Sequence, residues 1–232
     1  MARYRNLDEQ YWFLGSGLDT DECSAMGDEF IELMGPDNPD LQHVRWWEYW
    51  TVLRNLSLTK HDRVLDVGSW ASYAPLLWLS RYAGTVTLND AAQFTRGADT
   101  KEFKDWWTKL QPLGFGNFIL LIRNIKNVAL EADRFDVITT FSTLEHIDLS
   151  MDPDADTAAS INMYRMLKPG GCMIGTIDFG IPEEGESLVR LYDQELFHTR
   201  IVEPAGWKYV DKPGPCRVES GVRSAMLYML TK

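Results

Sequence analysis

From Arg63 onward, short apolar runs alternate with stretches of helical character, and this alternation constrains the fold more than any other feature. The apolar runs predict six strands, at residues 63–68, 85–90, 118–122, 135–141, 172–177 and 225–230. Helices are predicted between them at residues 74–82, 99–110 and 158–167. Strands that alternate with helices form βαβ units. The pattern therefore predicts an α/β fold, with helices on both faces of a doubly wound, mostly parallel sheet.

The first 60 residues have a different character. Residues 41–56 place apolar side chains such as Leu41, Val44 and Trp47 at three- and four-residue steps, which indicates a helix with one broad apolar face. Residues 35–40, which precede it, are rich in helix breakers. We therefore divide the chain into an N-terminal helical segment, residues 1–60, and an α/β domain, residues 61–232.

Composition excludes several function classes. The formal net charge of −11 argues against holding nucleic acid through its phosphates and favours a small neutral or cationic ligand, or a sugar. The apolar runs are far shorter than the roughly 20 residues that cross a bilayer. An acidic N-terminus and 3 widely spaced cysteines favour a cytoplasmic protein with reduced thiols. The sequence does not indicate an oligomeric state.

The ends of the first two strands suggest which ligand binds. In a doubly wound sheet, ligands lie outside the carboxyl ends of the strands. Gly68 ends the first strand, and Asp90, which follows it by 22 residues, suits a carboxylate that binds ribose hydroxyls. Trp70 occupies the position of the second glycine of a dinucleotide motif, which disfavours NAD and FAD, and the phosphate loop of nucleotide hydrolases is absent. A nucleoside cofactor without phosphates remains, and S-adenosylmethionine fits that description.

Four motifs follow one another along the chain. They are Val64-Leu65-Asp66-Val67-Gly68-Ser69, the strand-ending Asp90, the run from Phe135 to the Leu144-Glu145-His146 ending, and Arg165-Met166-Leu167-Lys168-Pro169-Gly170-Gly171. With them, residues 62–232 resemble the class I S-adenosylmethionine-dependent methyltransferases. The resemblance implies a Rossmann-like, seven-stranded sheet whose last strand, at residues 225–230, is antiparallel. It also implies S-adenosylmethionine as cofactor and S-adenosylhomocysteine as product.

The resemblance further implies which residues bind the cofactor. The expected set is Asp66, Gly68, Ser69, Trp70, Asp90, Asn124, Ile125, Phe141 and Ser142. Asp66 and Gly68 would line its methionine end, Asp90 its ribose, and Asn124 with Ile125 its adenine. Trp70 and Ser72 stand where the family usually has glycines, so either Trp70 covers the cofactor or binding is weakened. We favour retained binding because Asp66, Gly68 and Asp90 are present.

The expected activity is O-methylation of a hydroxyl on a small molecule or glycan. A hydroxyl must lose its proton, and His146 at the end of a central strand is the predicted base, oriented by Glu145. Alternatively, Glu145 and His146 only close the site structurally. Two other functions stay open, an N-methyltransferase of a small molecule and a non-catalytic binding subunit with the same fold. By analogy with the family, residues 1–60 are expected to form a lid over the acceptor site.

The acidic residues Asp148, Asp152, Asp154 and Asp156 do not match a calcium-binding loop, because glycine and glutamate are missing at its sixth and twelfth positions. A solvated loop in which Asp156 caps the next helix is the expected arrangement. No metal is predicted, although a divalent cation held by Glu145, His146 and one of these carboxylates stays open.

Overall fold

The computed structural model of the chain describes residues 28–29, 32–33, 46–70, 72–91, 101–147, 152–180, 190–210 and 224–232. The strands are β1 (Arg63–Val67), β2 (Thr85–Asp90), β3 (Phe118–Ile122), β4 (Phe135–Phe141), β5 (Leu167–Phe179), β6 (Lys208–Tyr209) and β7 (Ser224–Thr231). The helices are α1 (Trp46–Leu53), α2 (Ala74–Tyr82), α3 (Lys101–Leu113), α4 (Ala155–Met166), α5 (Gln194–Phe197) and α6 (Glu203–Ala205). Single 3-10 turns occupy Ile125–Asn127 and Leu144–His146, and a π-helical turn occupies His198–Val202.

The seven strands that the structure describes form one sheet in the order β3-β2-β1-β4-β5-β7-β6. The pairs from β3 through β5 are parallel, whereas β7 runs antiparallel to both β5 and β6. This arrangement confirms the predicted fold class, including the antiparallel last strand. The strand order reverses between β1 and β4, because the chain builds outward through β2 and β3 before it returns. Such a switch point is where open α/β sheets bind their ligands.

Hydrophobic side chains cover both faces of the sheet, as expected where successive residues of a strand point to opposite sides. On one face, Val64 and its neighbours pack against α1, α2 and α3. On the other face, Leu65 and its neighbours pack against α4 and the segment from Tyr192 to Trp207. Cys172 is fully buried in the first of these cores.

Several predicted boundaries are wrong. Helix α4 begins at Ala155 rather than at residue 158, and β5 begins at Leu167 rather than at residue 172. The register shifts between the pairs Phe135↔Leu167 and Val137↔Cys172, so the Lys-Pro-Gly-Gly turn lies within β5 as an irregularity. Lys168 stabilises this turn because its Nζ lies 2.9 Å from both carboxylate oxygens of Asp136. The two-residue strand β6 was not predicted at all.

The predicted role of Asp156 is also wrong. Asp156 lies inside α4, whose N-cap is Asp154, and its side chain is fully buried. It accepts hydrogen bonds from Arg190, Tyr192 and Arg200, the last at 2.6 and 2.9 Å. Burial alone would raise the pKa of Asp156, but these hydrogen bonds outweigh it and lower the pKa below its ordinary value. The residue is therefore the centre of a buried ion cluster.

Some predictions fall on residues outside the described ranges. Most of the N-terminal segment before Trp46, together with Asp148, Cys23 and Cys216, belongs to this group. Among the helices that the structure describes, none has the length and apolar character that a membrane span requires.

Candidate functional site

A cleft of about 350 Å³ opens at the carboxyl ends of β1, β2 and β4, at the switch point of the sheet. Its size lies within the range of small-molecule sites, about 300–1,000 Å³. Seven of the predicted cofactor residues line it, namely Gly68, Trp70, Asp90, Asn124, Ile125, Phe141 and Ser142. Ser72, Thr143 and His146 also line this cleft.

The turn after β1 requires a glycine. Gly68 has a φ of +80°, and a Cβ at this position would lie 2.3 Å from Thr143 Oγ1. Its amide donates to the carbonyl of Asn89 at 2.8 Å, which ties the turn to β2. The backbone here is therefore exposed to the cleft without a side chain in between, as a close approach by a ligand requires.

Trp70 is part of a loop that is held in place without further glycines. Its amide donates to Asp90 Oδ2 at 2.9 Å, and its ring packs near that of Phe103 in α3, with centroids 6.3 Å apart. The indole of Trp106 donates to the carbonyl of Ser72 at 3.0 Å, which anchors the end of the loop. Trp70 and Ser72 are thus each held by contacts from outside the turn, and Trp70 forms one wall of the cleft.

Asp90 ends β2 and is the acidic side chain expected to face a ribose. Its side chain is mostly buried, and burial raises its pKa to about 6, although the Trp70 amide acts in the opposite direction. At neutral pH the carboxylate is therefore ionised and able to accept hydrogen bonds from ligand hydroxyls.

Asn124 and Ile125 line the far side of the cleft, where an adenine is expected. The side chain of Asn124 accepts a hydrogen bond from the Lys126 amide at 3.1 Å and so caps the 3-10 turn Ile125–Asn127. Both residues are more than nine-tenths buried, which fixes the shape of this wall.

Two predicted cofactor residues, Asp66 and Ser69, do not line the cleft. Asp66 accepts hydrogen bonds from the hydroxyls of Ser69 and Thr139, each at 2.6 Å, below the turn after β1. Burial raises the pKa of Asp66 to about 7, against the opposing effect of these two hydrogen bonds. In this structure the pair supports the turn from beneath.

Phe141 and Ser142 end β4 and form the floor of the cleft. Ser142 has a φ of +44°, an unusual conformation for a residue with a side chain. Its amide donates to the carbonyl of Thr176 at 3.1 Å, and its hydroxyl donates to Glu48 Oε2 at 2.7 Å. Backbone strain of this kind persists only where the surroundings enforce it, and it is frequent at functional sites.

Helix α1 reaches this floor through Glu48, which sequence reasoning missed, and through Tyr49. Glu48 is buried and also accepts a hydrogen bond from Thr176 Oγ1 at 2.6 Å. The ring of Tyr49 meets that of Phe141 edge to face, with centroids 5.2 Å apart. The one sequence signal for Glu48 is a lone acidic residue within a run of aromatic residues, WWEYW.

The predicted catalytic residues lie in the 3-10 turn after β4. His146 is exposed and lines the cleft, whereas Glu145 is fully buried and does not. Glu145 Oε1 accepts a hydrogen bond from the Asp178 amide at 3.1 Å. Burial raises the pKa of Glu145 to about 8, and the nearby charges of Asp178 and Glu48 contribute in the same direction. Asp178, near the end of β5, was not predicted as a site residue.

Comparisons with known proteins agree on the fold and the domain. Residues 65–175 match the model of a family described as "Methyltransferase domain". No curated protein matches the sequence. Three similar solved structures illustrate the range of proteins with this fold, and at their low sequence identities the likeness shows the fold alone.

The first is a 1,6-didemethyltoxoflavin-N1-methyltransferase from Burkholderia thailandensis, with bound 1,6-didemethyltoxoflavin and S-adenosylhomocysteine. It is 15% identical, with a TM-score of 0.60 over 100% of this chain and 99% of that chain. A SAM-dependent methyltransferase from Aquifex aeolicus is 19% identical, with a TM-score of 0.58 over 89% of this chain and 98% of that chain. The [4+2]-cyclase SpnF is 14% identical, with a TM-score of 0.57 over 100% of this chain and 87% of that chain.

The family match extends from within β1 to within β5, and it therefore includes the carboxyl ends of β1, β2 and β4, where the cleft opens. The sheet order and the antiparallel β7 agree with the architecture that the sequence motifs imply. Residues 65–175 therefore belong to the methyltransferase domain family, and the sheet around them has the fold that the resemblance to class I S-adenosylmethionine-dependent methyltransferases implies.

Proposed function

We propose that the protein transfers a methyl group from S-adenosylmethionine to a hydroxyl of a small molecule or glycan, with His146 as the base. The observation that carries this proposal is the cleft itself. Its lining includes Gly68 in the turn after β1, Asp90 at the end of β2 and the exposed His146 after β4.

The residues present fit the proposed cofactor. Gly68 leaves its backbone open at a position where any Cβ would collide with Thr143, and Asp90 offers a carboxylate to ribose hydroxyls. Asn124 and Ile125 would flank the adenine, and Phe141 with Ser142 would lie below the methionine part. Trp70 would cover the cofactor from one side, in place of the glycine that is usual in the family.

The chain's own residues have two tasks in this reaction. When bound, S-adenosylmethionine supplies an electrophilic methyl group on a sulfonium that leaves readily. The cleft must hold the acceptor oxygen about 3 Å from that methyl, and such alignment lowers the barrier by several kcal/mol. His146 would then take the hydroxyl proton, which adds about 10²- to 10⁴-fold in rate.

A titration by calorimetry tests cofactor binding, with S-adenosylmethionine and S-adenosylhomocysteine as ligands and NADH as the negative control. We expect micromolar binding of both sulfur compounds by the wild type and at least a 100-fold loss in Asp90→Ala. Asp152→Ala is the matched control, because it removes an acidic residue that pairs with Lys126 outside the cleft lining. If the wild type bound neither compound, the proposal would be wrong.

Turnover of His146→Ala tests the base. We expect this variant to bind S-adenosylhomocysteine normally and to lose at least 100-fold in kcat, because the acceptor proton has no partner. His198→Ala is the matched control, since His198 stacks on Tyr209 and is not part of the cleft lining. Turnover of His146→Ala close to that of the wild type would exclude this role.

We further propose that residues 1–60 act as a lid over the acceptor site. The support is that Tyr49 and Glu48 of α1 contact Phe141 and Ser142 on the floor of the cleft. Tyr49→Ala should raise the KM for the acceptor at least 10-fold and leave S-adenosylhomocysteine affinity within 2-fold. Tyr164→Ala, which alters a half-buried tyrosine packed on Trp207 at the other face, should leave both values unchanged. An unchanged acceptor KM in Tyr49→Ala would contradict the lid.

N-methylation is the second candidate. Its support is the likeness in fold to the 1,6-didemethyltoxoflavin-N1-methyltransferase, which methylates a nitrogen. A screen of hydroxyl and amine acceptors with ¹³C-methyl-labelled S-adenosylmethionine distinguishes the two, because the methyl carbon shift reports whether oxygen or nitrogen is its new neighbour.

A further inference from the structure

Three metal-ligating side chains converge at one point beside the cleft. Glu145 and His146 lie in the turn after β4, and Asp178 lies near the carboxyl end of the neighbouring strand β5. Each offers one ligand atom, and these atoms all lie within 4.8 Å of one another. Two carboxylates and one imidazole are donors that first-row divalent cations accept.

The hydrogen bonding of Glu145 gives a second, independent observation. Its side chain is fully buried, and Oε1 accepts the Asp178 amide. The other oxygen, Oε2, has no hydrogen-bond partner among the residues that the structure describes. Burying a carboxylate oxygen without a hydrogen-bond partner costs free energy, because its hydrogen bonds to water are lost and are not replaced.

The charges around this oxygen increase that cost. Asp178 is only 5% exposed, and buried Glu48 lies close enough to add its negative charge. Acidic side chains that share a buried space repel one another unless a cation or a proton lies between them. His146 is the exposed member of the group and faces the cleft, which gives a small ion a path to the cluster.

We propose that Glu145, His146 and Asp178 bind one divalent metal cation, such as Mn²⁺ or Mg²⁺, at the histidine end of the cleft. In octahedral coordination with bonds of about 2.1 Å, ligand atoms lie about 3 Å apart when adjacent and about 4.2 Å apart when opposite. The observed spacing within 4.8 Å needs only a small contraction to reach this geometry. Three coordination positions would remain open toward the cleft.

This ligand set differs from the one that the sequence left open. The sequence offered Asp148, Asp152, Asp154 and Asp156 for the third ligand, but Asp156 is bound by Arg190 and Arg200, and Asp152 is paired with Lys126. Asp178 is distant in sequence and comes close only because β4 and β5 are neighbours in the sheet.

The consequence for catalysis rests on the proposed function. A hydroxyl acceptor that occupies an open position next to the cation would have a lower pKa and would lose its proton to solvent more readily. His146 would then serve as a ligand through one ring nitrogen, whereas without the cation it serves as the base. The binding of the metal itself does not depend on methyl transfer and is tested separately.

The test is a titration of the full chain, treated with a chelator and then dialysed, with Mn²⁺ followed by electron paramagnetic resonance. We expect one site in the wild type and at least a 10-fold weaker Kd in both Asp178→Asn and Glu145→Gln, which keep shape and remove charge. The control is Asp152→Asn, which removes an equal charge outside the cluster and should bind as the wild type does. Mg²⁺ should displace Mn²⁺ from the site.

Two results would overturn the proposal. One is an absence of Mn²⁺ binding by the wild type, and the other is equal binding by the wild type and both variants. If Glu145→Gln does not fold, Asp178→Asn and the paramagnetic broadening of His146 ring signals in the wild type, with His198 as reference, decide the question. S-adenosylhomocysteine affinity is measured in the same samples, so a loss of cofactor binding is distinguished from a loss of metal binding.

Discussion

Gly68→Ala is the substitution with the most sharply defined effect. The residue has a φ of +80°, and an alanine Cβ would lie 2.3 Å from Thr143 Oγ1 and 2.4 Å from Thr143 Cγ2. The left-handed backbone costs an alanine about 1–2 kcal/mol, and the steric overlap adds about 1–3 kcal/mol. We therefore expect the free energy of unfolding to fall by about 2–5 kcal/mol.

A second glycine separates the two contributions. Gly116 has nearly the same φ, +74°, but nothing lies within 4 Å of its hypothetical Cβ. Gly116→Ala should therefore show only the backbone cost of about 1–2 kcal/mol. Adding Thr143→Ala to Gly68→Ala should recover most of the steric cost, because it removes the two nearest atoms, at 2.3 and 2.4 Å, and leaves Thr143 Cβ at 2.9 Å.

Urea unfolding at pH 7 measures the stability of the wild type and of these three variants, and calorimetry measures their affinity for S-adenosylhomocysteine. In Gly68→Ala we expect an affinity at least 10-fold lower, since a shift of the turn would move the Trp70 amide away from Asp90. If Gly68→Ala were no less stable than Gly116→Ala, or if Thr143→Ala gave no recovery, the steric reasoning would be refuted.

Three further predictions concern charged groups. The pKa of Asp66 is raised to about 7, so between about pH 4 and pH 7 this carboxyl keeps its proton in the folded state and loses it in the unfolded chain. The free energy of unfolding should therefore fall as the pH rises through this range. Asp66→Asn should make this slope shallower by up to about 1.4 kcal/mol per pH unit in urea unfolding. Because the pKa of Asp90 is about 6, S-adenosylhomocysteine affinity should weaken below pH 6 in the wild type and stay constant in Asp90→Asn, as followed by calorimetry. Arg200→Met should destabilise the protein by about 2–4 kcal/mol at pH 7 and by less near pH 3, because the lowered pKa of Asp156 stabilises the fold only while that residue is ionised.

The central strands could be predicted from sequence because each is buried on both sides. β2, β3 and β4 have the predicted bounds, and β1 differs by one residue. Buried parallel strands are short continuous apolar runs, a signal that is local in sequence. Boundaries at the Lys168 to Gly171 turn were wrong because the bulge opposite Asp136 is a property of two paired strands and is invisible in either alone.

Only part of the site could be predicted from the sequence. The residues at strand ends, such as Gly68 and Asp90, were found because the topology of an α/β sheet dictates where they lie. Glu48 and Asp178 were missed because their roles depend on contacts across long separations, such as the hydrogen bonds from Ser142 and Thr176 to Glu48. The role of Asp156 as a helix cap was predicted wrongly because its arginine partners lie more than 30 residues away in the sequence.

The position of β7 between β5 and β6 has a consequence for protein synthesis. β7 follows the other strands in the chain, yet it pairs with β5 from Cys172↔Thr231 to Phe179↔Ser224. Until β7 leaves the ribosome, β5 presents an open edge of unpaired amides and carbonyls beside exposed apolar side chains. Such edges recruit other strands, so a nascent chain paused before residue 224 would be prone to aggregate and would be a target for chaperones.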